Sequence, residues 1–200
     1  MVAGEQQHRV GKEGLEEAKL WLESTTRFEV NWTSWGKGGT VQYVQVPQIN
    51  GKSESFDLAG THYEPDLTAR AGFYAEVKRY SAQGKQREHY RDYLTRCYSA
   101  TVAWERAGTP MTPEFIWITW HPFGATDDYP KLTTAEMIKE ACEALPERVP
   151  PEDYDEAVSA DLATRLWFLL ASPRLEEMRM SQDFLGLVRN HATSEGGGIP

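Results

Sequence analysis

Residues 113–123, "PEFIWITWHPF", are apolar on both alternating faces, the pattern of a central strand buried from two sides. Such a strand needs a layer of structure over each face of its sheet. The flanking sequence offers candidates for both layers. On a helical wheel of residues 11–24, "GKEGLEEAKLWLES", Leu15, Ala18, Trp21 and Leu22 share one face with Gly11 and Gly14. Lys12, Glu16, Lys19 and Glu23 lie opposite. "RFEVNW" (27–32) alternates as a strand, "NWTSWGKGGT" is a Gly-rich loop, and "VQYVQVP" (41–47) alternates again before a turn at Asn50-Gly51. Residues 55–63 and 72–80 read as two further strands joined by "EPDLTARA". A long helix follows over about 81–108, with Tyr90, Leu94, Cys97 and Tyr98 on one stripe, and another lies near 133–145.

From Pro150 the chain turns acidic and is expected to be helical. Leu166, Leu169 and Leu170 of "LWFLLA" form an i, i+3, i+4 stripe, with Asp161, Arg165 and Glu176 left in water. The expected architecture is an α/β sandwich over residues 1–148, a central mixed β-sheet flanked by helices. An acidic helical extension over 149–193 packs on that core or on a partner, and 194–200 is a frayed tail.

Composition narrows the function. Two hundred residues, 40% of them apolar, suit one domain with a small annex. A net charge of −9 excludes a simple basic coat for nucleic acid, which needs a positive face along its whole length. The charge is uneven, however. Between Arg70 and Arg106, eight Lys/Arg face four Asp/Glu, so nucleic acid stays a candidate partner. No run approaches the roughly 18 apolar residues of a membrane span. "MVAGEQQHRVGKEG" has no apolar core of a secretory signal, and Cys97 and Cys142 lack zinc-knuckle spacing. The expectation is a cytoplasmic chain with reduced thiols and no membrane contact.

The chemistry concentrates in "SFDLAGTHYEPDLTARAGFYAEVK" (55–78). Two carboxylates and a lysine at this spacing suggest a metal site that cuts phosphodiesters. If the two strands form an antiparallel hairpin whose paired residue numbers sum to about 134, Asp57 stands opposite Val77, diagonal to Glu76 and Lys78. Asp66, after a proline at the tip, is ordinary turn chemistry. Glu76 and Lys78 share a strand face by period 2. A solvent-facing strand with a plain Glu/Lys pair fits this stretch equally well.

The order Asp57, then Glu76-Val77-Lys78, then Gln86 and Tyr90 one helical turn apart, resembles the PD-(D/E)XK nuclease superfamily, especially its RecB-like branches. The likeness covers about residues 10–125. It implies a restriction-endonuclease-like fold and an endonuclease-type hydrolase acting on DNA in a restriction, repair or phage-defence setting. It also implies Asp57, Glu76 and the Val77 carbonyl as ligands of Mg²⁺, with Mn²⁺ able to substitute, and Lys78 and Gln86 as catalytic partners. Many members add a glutamate from the first helix; Glu17 is the choice here, with Glu13 and Glu16 as alternatives. Lys85, Arg87 and Tyr90 would touch nucleic acid. Phe56 before the aspartate, the long turn and the acidic C-terminal part depart from the family pattern.

Carboxylates are hard donors suited to Mg²⁺, and such an ion polarises phosphate and delivers hydroxide. A second reading, from another class, is a non-catalytic subunit of the same fold that binds a larger protein partner or a second copy of itself. His62, His89 and His121 sit on separate elements without metal-ligand spacing. "GKGG" (36–39) lacks the spacing of a phosphate-binding loop. Trp32 and Trp35, in the Gly-rich loop, could stack on an unpaired base.

Overall fold

The structure is a computed structural model that describes residues 3–25, 27–35, 40–63, 70–79, 85–109, 111–121, 123 and 126–172, and beyond these 174, 177, 179–181 and 183–187. Helix α1 (Ala3–Ser24) leads into strand β1 (Phe28–Thr33), a 3₁₀ turn (Thr40–Val44), and the short strands β2 (Gln45–Pro47) and β3 (Ser53–Ser55). The hairpin strands β4 (Leu58–Tyr63) and β5 (Arg70–Lys78) come next, then the long helix α2 (Gln86–Arg106) and β6 (Glu114–Thr119). A 3₁₀ segment (Thr126–Thr133), α3 (Ala135–Ala144), α4 (Glu156–Ala163) and β7 (Leu166–Leu170) complete the described order.

Among the described residues the main sheet has five strands in the order β1-β4-β5-β6-β7. The β1–β4 and β4–β5 pairs are antiparallel, and β5–β6 and β6–β7 are parallel. A mixed α/β sandwich is therefore what the chain forms. β6 lies inside the sheet with Phe115, Ile116, Trp117 and Ile118 all fully buried. Its period-2 alternation divides the core. Phe115 and Trp117 face α2, α3 and α4, whereas Ile116 and Ile118 join Phe73, Ala75 and the Leu15, Ala18, Leu22 stripe of α1. Each fully buried Leu or aromatic contributes on the order of 1.5–3 kcal/mol. Local chemistry sets the helix starts: Thr134 accepts from the Met137 N–H before α3, and Asp155 accepts from the Ala157 N–H before α4.

Three expectations are corrected. "VQYVQVP" is a 3₁₀ turn followed by only three strand residues, which pair with Ser53–Ser55 across the expected Asn50-Gly51 turn. Gly51 takes the positive φ (77°) that this turn requires.

"LWFLLA" is not a helix. Leu166–Leu170 is the edge strand beside β6, with Leu166 and Phe168 packed on the α2 side and Trp167 and Leu169 on the α1 side. Five or six apolar residues fit either period, and the open edge of β6 decides for the strand. Arg165, expected in water, is buried: its Nη1 donates to the Pro113 carbonyl at 2.6 Å and its Nη2 pairs with Asp161 at 2.7 Å.

The close approach of β1 and β4 gives a local prediction. A Cβ on Gly60 would lie 2.0 Å from the Glu29 carbonyl oxygen. Backbone cannot swing aside as a side-chain tip can. Gly60→Ala is expected to cost about 2 kcal/mol, read as a lower denaturation midpoint at unchanged m-value.

Candidate functional site

The hairpin brings Asp57 and Glu76 together, one residue from the expected register. Leu58 pairs with Ala75, so the numbers sum to 133 and Asp57 stands level with Glu76. The Asp57 N–H donates to the Ala75 carbonyl at 3.0 Å, and Asp57 Oδ2 accepts the Val77 N–H at 2.8 Å. The Val77 N–H is thus a partner of Asp57, whereas the sequence expectation concerned its carbonyl. Ser34 Oγ reaches Asp57 Oδ1 at 3.5 Å. Asp66 lies outside the described residues.

Glu76 and Lys78 point to the α2 side of β5, near the carboxyl ends of the parallel strands, where open α/β sheets place their ligands. Glu76 Oε1 is 2.5 Å from Lys78 Nζ, and Glu76 Oε2 is 3.1 Å from Arg96 Nη2. Lys78 Nζ also lies 5.9 Å above the Trp117 ring. Arg96, a buried residue of α2, extends the cluster: it reaches Asp92 at 3.3 Å, donates to the Ser55 carbonyl at 3.1 Å and covers the Phe56 ring. Arg148 ties Asp92 and Glu54 at 2.7 and 2.5 Å. The sequence reading missed Arg96. Its signal was an arginine between Tyr93 and Cys97 on the buried stripe of α2, where a charge must be paired.

Burial, and after it the charge of Glu76, pushes the Asp57 carboxyl up to about 6. Glu76 responds the other way. Burial opposes its charge, but Arg96 and then Lys78 outweigh burial and hold it below the usual carboxylate range. The Arg96 guanidinium, disfavoured by burial, is held firmly charged by Glu76 and Asp92.

The donor set does not fit the expected Mg²⁺ or Mn²⁺. Each oxygen of Asp57 and Glu76 already has a partner, and the positive charge that two carboxylates require comes from Lys78 and Arg96. No group of three His, Cys, Asp or Glu converges among the described residues. Glu17 is not a member of the cluster. It pairs with Arg79 at 2.7 Å, and Arg79 alternates to the α1 side of β5, away from Glu76. Glu16 pairs instead with Lys12 at 3.7 Å on the exposed side of α1, and Glu13 is exposed on that helix too. The reserve choices therefore fare no better.

The α2 residues divide. Gln86 is buried, and its Oε1 accepts from Thr119 Oγ1 at 2.8 Å, while its Nε2 has no hydrogen-bond partner among the described residues. Tyr90 is no surface contact for nucleic acid: its ring is buried and its hydroxyl donates to the Leu132 carbonyl at 2.8 Å. Lys85 is exposed and 3.4 Å from Glu88. Arg87 is exposed as well. The histidines stay apart, His62 buried against Phe28 and 3.9 Å from Glu114, His121 half-buried and His89 exposed. Trp32 stacks on Tyr43 at 5.0 Å, and Trp35 is exposed. "GKGG" lies outside the described residues. Cys97 and Cys142 are free and buried. Among the described residues no helix is long and apolar enough to cross a membrane.

No protein-family model and no curated protein matches the chain. Among solved structures it is similar to the Acinetobacter baumannii Cap4 SAVED/CARF-domain containing receptor with the cyclic trinucleotide 2'3'3'-cAAA. Identity is 11%, the match covers 82% of this chain and 31% of that one, and the TM-score is 0.33. The Moraxella osloensis Cap4 SAVED/CARF-domain containing receptor matches at 11% identity over 82% of this chain and 33% of that one, with a TM-score of 0.31. The chain spans about a third of the length of these receptors. Likeness at this level assigns no ligand to this chain.

The functional expectation is nevertheless corrected. Where the sequence led to Mg²⁺-dependent hydrolysis of DNA at Asp57, Glu76 and Lys78, the structure pairs the carboxylate oxygens of Asp57 and Glu76 with Ser34, Val77, Lys78 and Arg96. The cluster itself closes on its own cations.

Proposed function

We propose that the chain is a non-catalytic binding unit of restriction-endonuclease-like architecture that works with a larger protein partner. The architectural kinship is supported by the order of Asp57, Glu76-Val77-Lys78 and Gln86 with Tyr90 along a hairpin and the helix that follows it. One observation carries the non-catalytic reading: Glu76 is closed between Lys78 and Arg96, so its charge is spent within the fold. A buried, hydrogen-bonded ion cluster of this kind fixes the packing of α2 on β5. The exposed side chains of Leu170, Phe184 and Leu187 favour a protein partner over free solvent at the C-terminal end of the described chain.

Divalent ions provide the test. Calorimetric titration with Mg²⁺ or Mn²⁺ is expected to give no heat that depends on Glu76. Plasmid, linear and single-stranded DNA should stay intact in millimolar divalent ion. Cleavage that is present in the native chain and lost in both Asp57→Asn and Glu76→Gln would overturn the proposal.

A further inference from the structure

A cavity of about 140 Å³ lies between α2 and a wall made of Phe123, the 3₁₀ segment Thr126–Thr133 and α3. Tyr90, Phe123, Leu132 and Met137 form its apolar walls, and Arg87, Arg91 and Lys131 bring cations to it. Its volume is close to the roughly 150 Å³ of an apolar cavity that admits a benzene ring. The acids at the cavity are Asp128, which pairs with Lys131 at 2.9 Å, and the exposed Glu140. Among the described residues, neither Arg87 nor Arg91 makes an ion pair or a side-chain hydrogen bond. Two unspent guanidinium groups one helical turn apart, in a chain of net charge −9, are an anion-binding pair.

We propose that this cavity binds a nucleoside monophosphate group, its planar base against Phe123 and Met137 and its phosphate on Arg87 and Arg91. A phosphate accepts the forked guanidinium donors through paired, charge-assisted hydrogen bonds. An aromatic wall holds any base by its face, whatever its sequence identity. The site is separate from the Glu76 cluster. On the α2 wheel Arg87 and Arg91 project roughly opposite Arg96, so the helix itself stands between the two.

The group could belong to a free nucleotide or to the end of a nucleic-acid strand. Titration of the full chain with inorganic phosphate, AMP and a 5'-phosphorylated dinucleotide, followed by calorimetry, tests the proposal and separates the two sources. AMP is expected to bind more tightly than phosphate. Its affinity should fall about tenfold or more in Arg87→Gln/Arg91→Gln, a pair near the surface whose loss leaves the melting temperature in place. Tighter binding of the dinucleotide than of AMP assigns the site to a strand end, and equal or weaker binding assigns it to a free nucleotide. AMP that binds no better than phosphate, or equally well to the double variant, overturns the proposal, as does the absence of AMP binding at millimolar concentration.

Discussion

Glu76→Ala is expected to destabilise the fold by about 3–5 kcal/mol, the loss that follows when one partner of a buried ion pair is removed. Glu76 and Arg96 are both buried, 3.1 Å apart, and Lys78 sits on the other carboxylate oxygen at 2.5 Å. Without Glu76, two cations face each other across a site closed by Trp117 and Phe56. Asp92 remains for Arg96, at 3.3 Å, and keeps the loss from going higher. Alanine at this position is therefore no silent probe of chemistry: a drop in any activity would be mixed with unfolding. The sharper experiment is a double-mutant cycle in urea. Glu76→Met and Arg96→Met should each be costly alone, whereas the double variant should recover most of the loss, because packed apolar groups replace a buried pair at little net cost. Single variants within 1 kcal/mol of the native chain would show that the pair is not closed as described.

Asp57→Asn is expected to have the opposite sign at neutral pH. The folded Asp57 carboxyl titrates near 6, against 3.8 for an unperturbed aspartate. A raised carboxyl favours the fold fully below the unfolded value, and that contribution is lost as pH rises through the folded value. At pH 7 the ionised Asp57 thus costs up to about 3 kcal/mol. Asparagine keeps an oxygen for the Val77 N–H and removes the charge that Glu76 repels. The variant should be more stable than the native chain by roughly 1–3 kcal/mol at pH 7, with the gap closing by about pH 4. Glu76 imposes the opposite trend at the acid end. Held below the usual carboxylate range, it supports the fold at neutral pH, and this support is lost as pH falls through its own folded value. Denaturant curves from pH 4 to 8 for both chains check this. An Asp57→Asn variant less stable than the native chain at pH 7 would contradict the burial and repulsion described for Asp57.

How far the sequence reached depended on whether a signal was local or shared between distant segments. The two-sided apolar pattern of "PEFIWITWHPF" determined a central strand and, with it, layers on both faces, because no other surroundings satisfy residues such as Ile116 and Trp117 at once. Period 2 placed Glu76 and Lys78 on one strand face, and the hairpin brought Asp57 to them with an error of one residue. Tertiary structure decided the rest. Leu166–Leu170 could satisfy a helix or a strand by its own pattern, and only the unfilled edge of β6 made it a strand. Glu17 sits on the right kind of helix for a ligand, but the sheet lies between it and Glu76, a separation that no spacing along α1 records. Arg96 is 20 residues beyond Glu76 in the chain. It becomes that residue's counter-ion only when α2 packs on β5, and this contact turns two carboxylates that ask for a metal into a cluster that supplies its own charge. Periodicity is written residue by residue, whereas the partner of a buried charge is chosen by packing.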